Sequence, residues 1–151
     1  MLPVYILGSP SDNIKRSLCT STFKPIDFKS SDVILEIEDV HETYCKEYKD
    51  IVDILQLSRD NDPTLECIII KNDNTTTIPP KALASYIKNI LNRNDYDIFY
   101  LAYYLDSCHK YNESEVLARN IRINRTYSPG GLQAIIIKPS LRDIILKSKT
   151  M

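Results

Sequence analysis

The stretch Glu66 to Pro80, ECIIIKNDNTTTIPP, decides how this chain is read. Cys67 to Ile70 is a continuous apolar run, as expected of a strand covered on both faces. It stops abruptly at Lys71-Asn72-Asp73-Asn74, and a threonine-rich turn leads to Pro79-Pro80. Proline is tolerated at the first position of a helix, so a helix is expected from Pro80. A buried strand, a polar break and a helix make part of a βαβ unit, and ligands of such sheets bind outside the carboxyl ends of the strands. Asp73 stands at one of those ends. Its side chain is either a metal or substrate contact or a turn residue bonding its own backbone.

The same alternation extends in both directions. Pro3 to Leu7 is a compact apolar strand, and Ser9-Pro10-Ser11-Asp12 supplies the cap, proline and acid of a helix start. That helix runs to about Phe23, with Ile14 and Leu18 on its inner face and Lys15 and Arg16 near its first turn. Pro25 to Phe28 is extended, and Val33 to Ile37 is a further strand candidate. Between His41 and Ser58, Tyr44, Tyr48, Ile51, Ile54, Leu55 and Leu57 recur near the helical period. Asp60 to Pro63 is a turn.

After Pro80, Leu83, Tyr86, Ile87, Ile90 and Leu91 mark a helix face, which Asn92 to Asp95 ends. Asp97 to Leu101 is the next strand. Residues 105–120 are polar and read as a loop with room for a short helix, Ile121 to Ile123 as a short strand, and Ser128 to Gly131 as a turn. Leu132 to Ile137 is apolar, and Ser140-Leu141-Arg142-Asp143 is a capping box opening a last helix. Alternating strands and helices predict an α/β fold with a largely parallel sheet. No internal repeat or second domain is visible, so residues 1–151 are read as a single domain.

Composition narrows the partners. Three glycines leave little for a glycine-rich nucleotide loop, and a net charge of −1 offers no basic stripe for nucleic acid. No apolar run reaches the ~18–20 residues of a membrane span. Leu2 to Leu7, with no basic residue before it, reads as a strand rather than a signal peptide, so a cytoplasmic location is expected. The four cysteines, Cys19, Cys45, Cys67 and Cys108, have no zinc spacing and suggest thiols in a reducing compartment. His41 and His109 have no partner at ligand spacing. Tyr100, Tyr103 and Tyr104 read as strand core and rim, with a sugar-stacking platform as the alternative.

In order, these segments resemble the glycosyltransferase family 25 proteins, which include lipopolysaccharide-modifying transferases and procollagen galactosyltransferases. Pro3-Val4-Tyr5-Ile6-Leu7 followed by Lys15-Arg16 resembles the family's opening strand and Arg-rich helix, and "YCKEYKDIVDILQLSRD" its long helix. "CIIIKND" stands where the family has a strand of the type "C-L-I-L-E-D-D". "DYDIFYLA", Asp95 to Ala102, is similar to the following strand, and "SPGGLQAIIIKPSLRDIIL" to the closing turn, strand and helix.

The resemblance implies a compact GT-A-type fold, as in nucleotide-diphospho-sugar transferases. It also implies a UDP-sugar donor, an unidentified glycan, protein or lipid acceptor, and often Mn²⁺ or another divalent cation. The implied donor contacts are Lys71, Asn72, Asp73, Arg16 and Gln133, with Asp73 the metal ligand. Lys71 and Asn72 stand where the family has acids. A hard cation wants carboxylate oxygens, whereas a lysine here suits metal-independent neutralisation of phosphate. Transfer with inversion needs a base, for which Asp97, Asp106 and Glu113 are the candidates. The family's domain continues past the point corresponding to Met151, into acceptor contacts and an acidic residue. Two expectations therefore stand: a glycosyltransferase, or a catalytically inactive relative kept as a binding or structural protein. A homo-oligomer could complete the site.

Overall fold

The apolar run at Cys67–Ile70 is fully buried, and its strand occupies the middle of a five-stranded mixed sheet. The computed structural model describes residues 2–8, 18, 22–29, 40–71, 79–102, 105–106, 114–118, 121–124, 129–130 and 133–148. The main sheet is built from β1 (Leu2–Leu7), β2 (Phe23–Phe28), β3 (Cys67–Lys71), β4 (Ile98–Ala102) and, late in the chain, β9 (Ala134–Ile137). The helices are α1 (Val40–Asn61), α2 (Pro80–Leu91) and α3 (Pro139–Ser148).

Across the sheet the order is β2-β1-β3-β9-β4. β1 pairs in parallel with both β2 and β3, whereas β9 runs antiparallel to β3 and to β4. Four strands therefore share one direction, and β9 alone is reversed. The fold is α/β with a mixed, mostly parallel sheet.

Alternation along the strands divides the core into two layers. Val4, Ile6, Ile68, Ile70, Ala134 and Ile136 face one way, where Ala84, Ile87 and Ile90 of α2 cover them together with Leu18. Tyr5, Cys67, Ile69, Ile135 and Ile137 face the other way, under Ile51, Val52, Ile54 and Leu55 of α1 and Leu146 of α3. Helices on both faces explain why β3 and β9 read as unbroken apolar runs.

Several details differ from the sequence expectations. The buried stripe of α1 is Ile51, Val52, Ile54 and Leu55, while Tyr48 and Leu57 are about half exposed. Nine residues apart, those two lie on opposite sides of the helix, so the inner stripe cannot hold both. Asp60 and Asn61 still belong to α1, and the turn begins at Asp62, whose carboxylate accepts from the Thr64 N–H at 2.9 Å and the Thr64 hydroxyl at 2.6 Å. These bonds, the hydroxyl's first, hold the Asp62 carboxyl below its usual pKa.

The expected loop at 105–120 contains β5 (Leu105–Asp106) and β6 (Ser114–Ala118). β6 pairs antiparallel with β7 (Ile121–Asn124), and β5 with β8 (Pro129–Gly130), which lies within the expected turn at Ser128 to Gly131. β7 is the short strand expected at Ile121 to Ile123, whereas Leu105-Asp106 and Ser114 to Ala118 lack the alternation of apolar and polar residues that marks a half-buried strand. Finally, α3 starts at Pro139, so Ser140 lies inside the first turn rather than capping it. The helix expected before Phe23 and the strand at Val33–Ile37 fall outside the described residues, save for Leu18.

Two polar anchors close the amino ends of the parallel strands. Arg142, on the first turns of α3, is completely buried. Its guanidinium donates to the Leu65 carbonyl at 2.8 Å, the Pro63 carbonyl at 2.7 Å and the Ser58 hydroxyl at 3.3 Å. One side chain thereby joins α3 to the end of α1 and to the approach to β3. Lys138 donates to Glu66 at 3.2 Å and to the Leu91 carbonyl at 3.0 Å, and lies 4.7 Å from the centre of the Tyr96 ring. Replacing Arg142 by Met leaves the part-buried carbonyls of Leu65 and Pro63 without their donor and should cost about 1–3 kcal/mol in denaturant unfolding. Ile144→Ser, on the exposed side of the same helix, should shift stability by no more than about 0.5 kcal/mol.

Candidate functional site

The chain leaves β1 for β2 on one side and then crosses, through α1, to β3 on the other side. The strand order therefore reverses around β1. Crevices at such reversals, outside the carboxyl ends of the strands, are where open α/β sheets bind ligands. Here that place is beyond the ends of β1 and β3, which the register sets side by side, Leu7 opposite Lys71.

Three described residues shape it. Gly8, directly after β1, has φ 106°, a conformation that a Cβ opposes, and it is exposed. Lys71 ends β3 and is partly exposed. Its backbone N–H donates to the carbonyl of Gln133 at 2.8 Å. Gln133 precedes the reversed strand β9 and is buried. Because β9 runs backwards, its beginning rather than its end arrives at this edge. Lys71 and Gln133, sixty-two positions apart in the sequence, thus become neighbours through the strand pairing.

α2 adds its amino end to the same side. Its last carbonyls lie at the opposite edge, where Lys138 bonds Leu91, so its first turn points toward the carboxyl edge. That turn contains no acid, and Pro79 before it makes no side-chain cap. Both features leave the positive end of the helix dipole uncompensated by the first turn.

The remaining sequence candidates separate. Asp97 precedes β4 at the amino edge, where its carbonyl accepts from the Lys138 N–H at 2.9 Å. The whole length of the strand stands between it and Lys71. It cannot serve a ligand held at the carboxyl edge. Asp106 lies on the other side. The chain arms that pair as β4 and β9 pair again beyond Ala102 and Ala134, with Asp106 opposite Pro129, which carries the backbone of Asp106 past the carboxyl edge. Tyr100 packs against the layer formed by Cys67, Ile69 and Ile135, as a core residue. Lys15, Arg16, Asn72, Asp73, Tyr103, Tyr104, His109, Glu113 and Gly131-Leu132 lie outside the described residues.

A divalent ion implied by the resemblance would need hard oxygen donors. Among the described residues no group of three His, Cys, Asp or Glu side chains could hold a metal. The residue that ends β3 at this edge is Lys71, whose ammonium has three donors and no acceptor. The described donor set does not fit a divalent cation.

The buried thiol is not a competing nucleophile. Cys67 lies at the start of β3, and burial pushes its pKa up to about 11, with the Ser58 hydroxyl and then the Arg142 charge pulling it back. Tyr5, above it on the same face, is raised chiefly by burial and secondarily by Cys67. The sequence did not single out Gly8. The available signal was its position, one of three glycines in the chain, immediately after the first apolar strand. No family model matches the chain, and no curated protein or solved structure matches it either.

Two measurements check this geometry. Gly8→Ala should lower stability by about 1–2 kcal/mol, because a Cβ is forced into positive φ, and a neutral result would show that the turn relaxes freely. Cys67 should resist iodoacetamide at pH 8 in the native protein and react on unfolding, as read by peptide mapping. Its folded pKa is raised, so the thiol's contribution to stability is whole below pH 9 and is lost as pH rises through about 11.

Proposed function

We propose that the chain is a GT-A-type nucleotide-sugar-binding protein of the glycosyltransferase kind, which binds a UDP-sugar at the carboxyl edge between β1 and β3. The observation that carries this reading is what the strand order brings to one edge. A strand-order reversal, a glycine at positive φ, Lys71 and Gln133 all meet at that edge. Segment order supports it too, since the stretches that resemble the family's motifs supply β1, β3, β4 and β9 in turn. In this reading the backbone at Gly8 admits close approach of the donor, Lys71 faces its diphosphate, and Asn72, Asp73, Arg16 and Gln133 complete the contacts.

Transfer would break the bond between the anomeric carbon and the diphosphate oxygen and form one to an acceptor hydroxyl. UDP would leave with the bonding electrons, and the hydroxyl proton would pass to a base. Of the carboxylates considered, Asp106 and Glu113 remain candidates for that base.

A second reading, a catalytically inactive relative that retains donor binding, is favoured by one specific observation: Lys71 occupies the strand end where the family has an acid. Two measurements distinguish the outcomes. At a donor concentration about 100 times its dissociation constant, a bound UDP-sugar should raise the melting temperature by about 5–10 °C. Asp73→Ala should diminish that rise. Slow release of UDP from the donor, accelerated by an acceptor, identifies a transferase. Stabilisation without release identifies the inactive relative. No shift with any UDP- or GDP-sugar sinks both.

A further inference from the structure

The described residues along the carboxyl edge have an unexpected charge pattern, and the inference drawn from it rests on the nucleotide-sugar reading above. In register, the ends of β2, β1 and β3 form a row: Phe28 opposite Leu7, and Leu7 opposite Lys71. One step beyond β2 comes Lys29, which is exposed, and one step beyond β1 comes Gly8. Neighbouring strands lie about 4.8 Å apart, so the ends of β2 and β3 are separated by about 10 Å. Gly8, without a side chain, lies between them. The carboxylate in these rows, Asp27, sits one step back, opposite Ile6.

We propose that this edge neutralises the diphosphate of its donor with lysine ammonium groups instead of a divalent ion, with Lys71 as the principal cation and Lys29 as its neighbour across Gly8. The chemistry follows from charge. A pyrophosphate leaving group develops negative charge as the glycosidic bond breaks, and either a divalent ion or fixed cationic side chains can stabilise it. Carboxylates at the strand end would serve the first arrangement by holding the ion. A lysine there repels a divalent ion and attracts the phosphate directly, as a compact point charge with three donors.

Position sets the stronger role for Lys71. Its backbone is fixed on one side by the parallel ladder to β1 and on the other by the bond to Gln133. The ammonium is thus carried on a rigid strand rather than a loop. Lys29 follows the outermost strand of this half of the sheet and can approach the same anion from the other side. The empty place of a side chain at Gly8 leaves room between them.

The test uses the full chain with UDP, with uridine as the control that lacks the diphosphate, in isothermal titration with either Mn²⁺ or excess EDTA. The expected result is UDP binding of equal strength in both buffers, with uridine much weaker. Lys71→Gln should weaken UDP by about tenfold or more and leave uridine unchanged, while Lys71→Arg retains most of the affinity. Lys29→Gln should weaken UDP by a smaller factor. Lys71 is partly exposed, and an unchanged melting temperature of the unliganded variants separates lost binding from lost folding.

UDP binding that requires Mn²⁺ and disappears in EDTA would overturn this proposal and leave the nucleotide-sugar reading intact. Metal-free binding indifferent to Lys71→Gln would overturn it as well, moving the anion elsewhere. Absence of UDP and UDP-sugar binding under both conditions would remove the proposal together with the reading on which it rests.

Discussion

The pairing of β3 with β9 is the constraint on which the rest of the molecule depends. Cys67 to Ile70 and Ala134 to Ile137 are all buried and lie opposite each other in antiparallel register. Two adjacent strands that are apolar on both faces can be kept from water only by a layer on each side. α2 and Leu18 meet that requirement on one face, α1 and α3 on the other. The polar residues that flank these two strands, Glu66 and Lys71 about β3 and Gln133 and Lys138 about β9, stand at their ends. The division of the molecule into a structural edge and a candidate ligand edge follows from that.

At the amino edge, polar groups are consumed by packing. Arg142 is buried without solvent, so each of its bonds to Leu65, Pro63 and Ser58 offsets a desolvation cost, and together they fix where α3 lies against α1. Lys138 does the same between β3 and α2, through Glu66 and the Leu91 carbonyl, with the Tyr96 ring beside it. The edge strand β2 at one end of the sheet carries Lys24, Pro25 and Asp27, which disfavour pairing with another chain. At the carboxyl edge the polar groups are distributed differently. Lys71 is partly exposed, Gly8 is bare, and α2 begins without an acid.

Strong periodic signals were legible in the sequence. The apolar run of β3, the proline start of α2 and the alternation of strand and helix led to an α/β fold with a covered sheet, and these are present. Weak signals were not legible. Ile121 to Ile123 was legible as a strand, whereas Leu105-Asp106 and Ser114 to Ala118 carry no alternation of apolar and polar residues and are strands through their pairing with β8 and β7. Asp97 looked like Asp106 in the sequence, an acid beside a strand. Only strand direction separates them, since one precedes β4 and the other follows it.

What the sequence determined by itself was local: where apolar residues run without interruption, where proline starts a helix, and that a lysine rather than an acid ends β3. Those are properties of neighbouring residues and of the water they avoid. Tertiary structure decided which distant ends meet. The sequence holds no sign that β9 is inserted backwards between β3 and β4, because an apolar run reads the same in either direction. That reversal brings Gln133 to Lys71 and sends Lys138 and Arg142 to the opposite edge. The candidate site is therefore a consequence of strand direction, which is set when the whole sheet assembles and both its faces are covered.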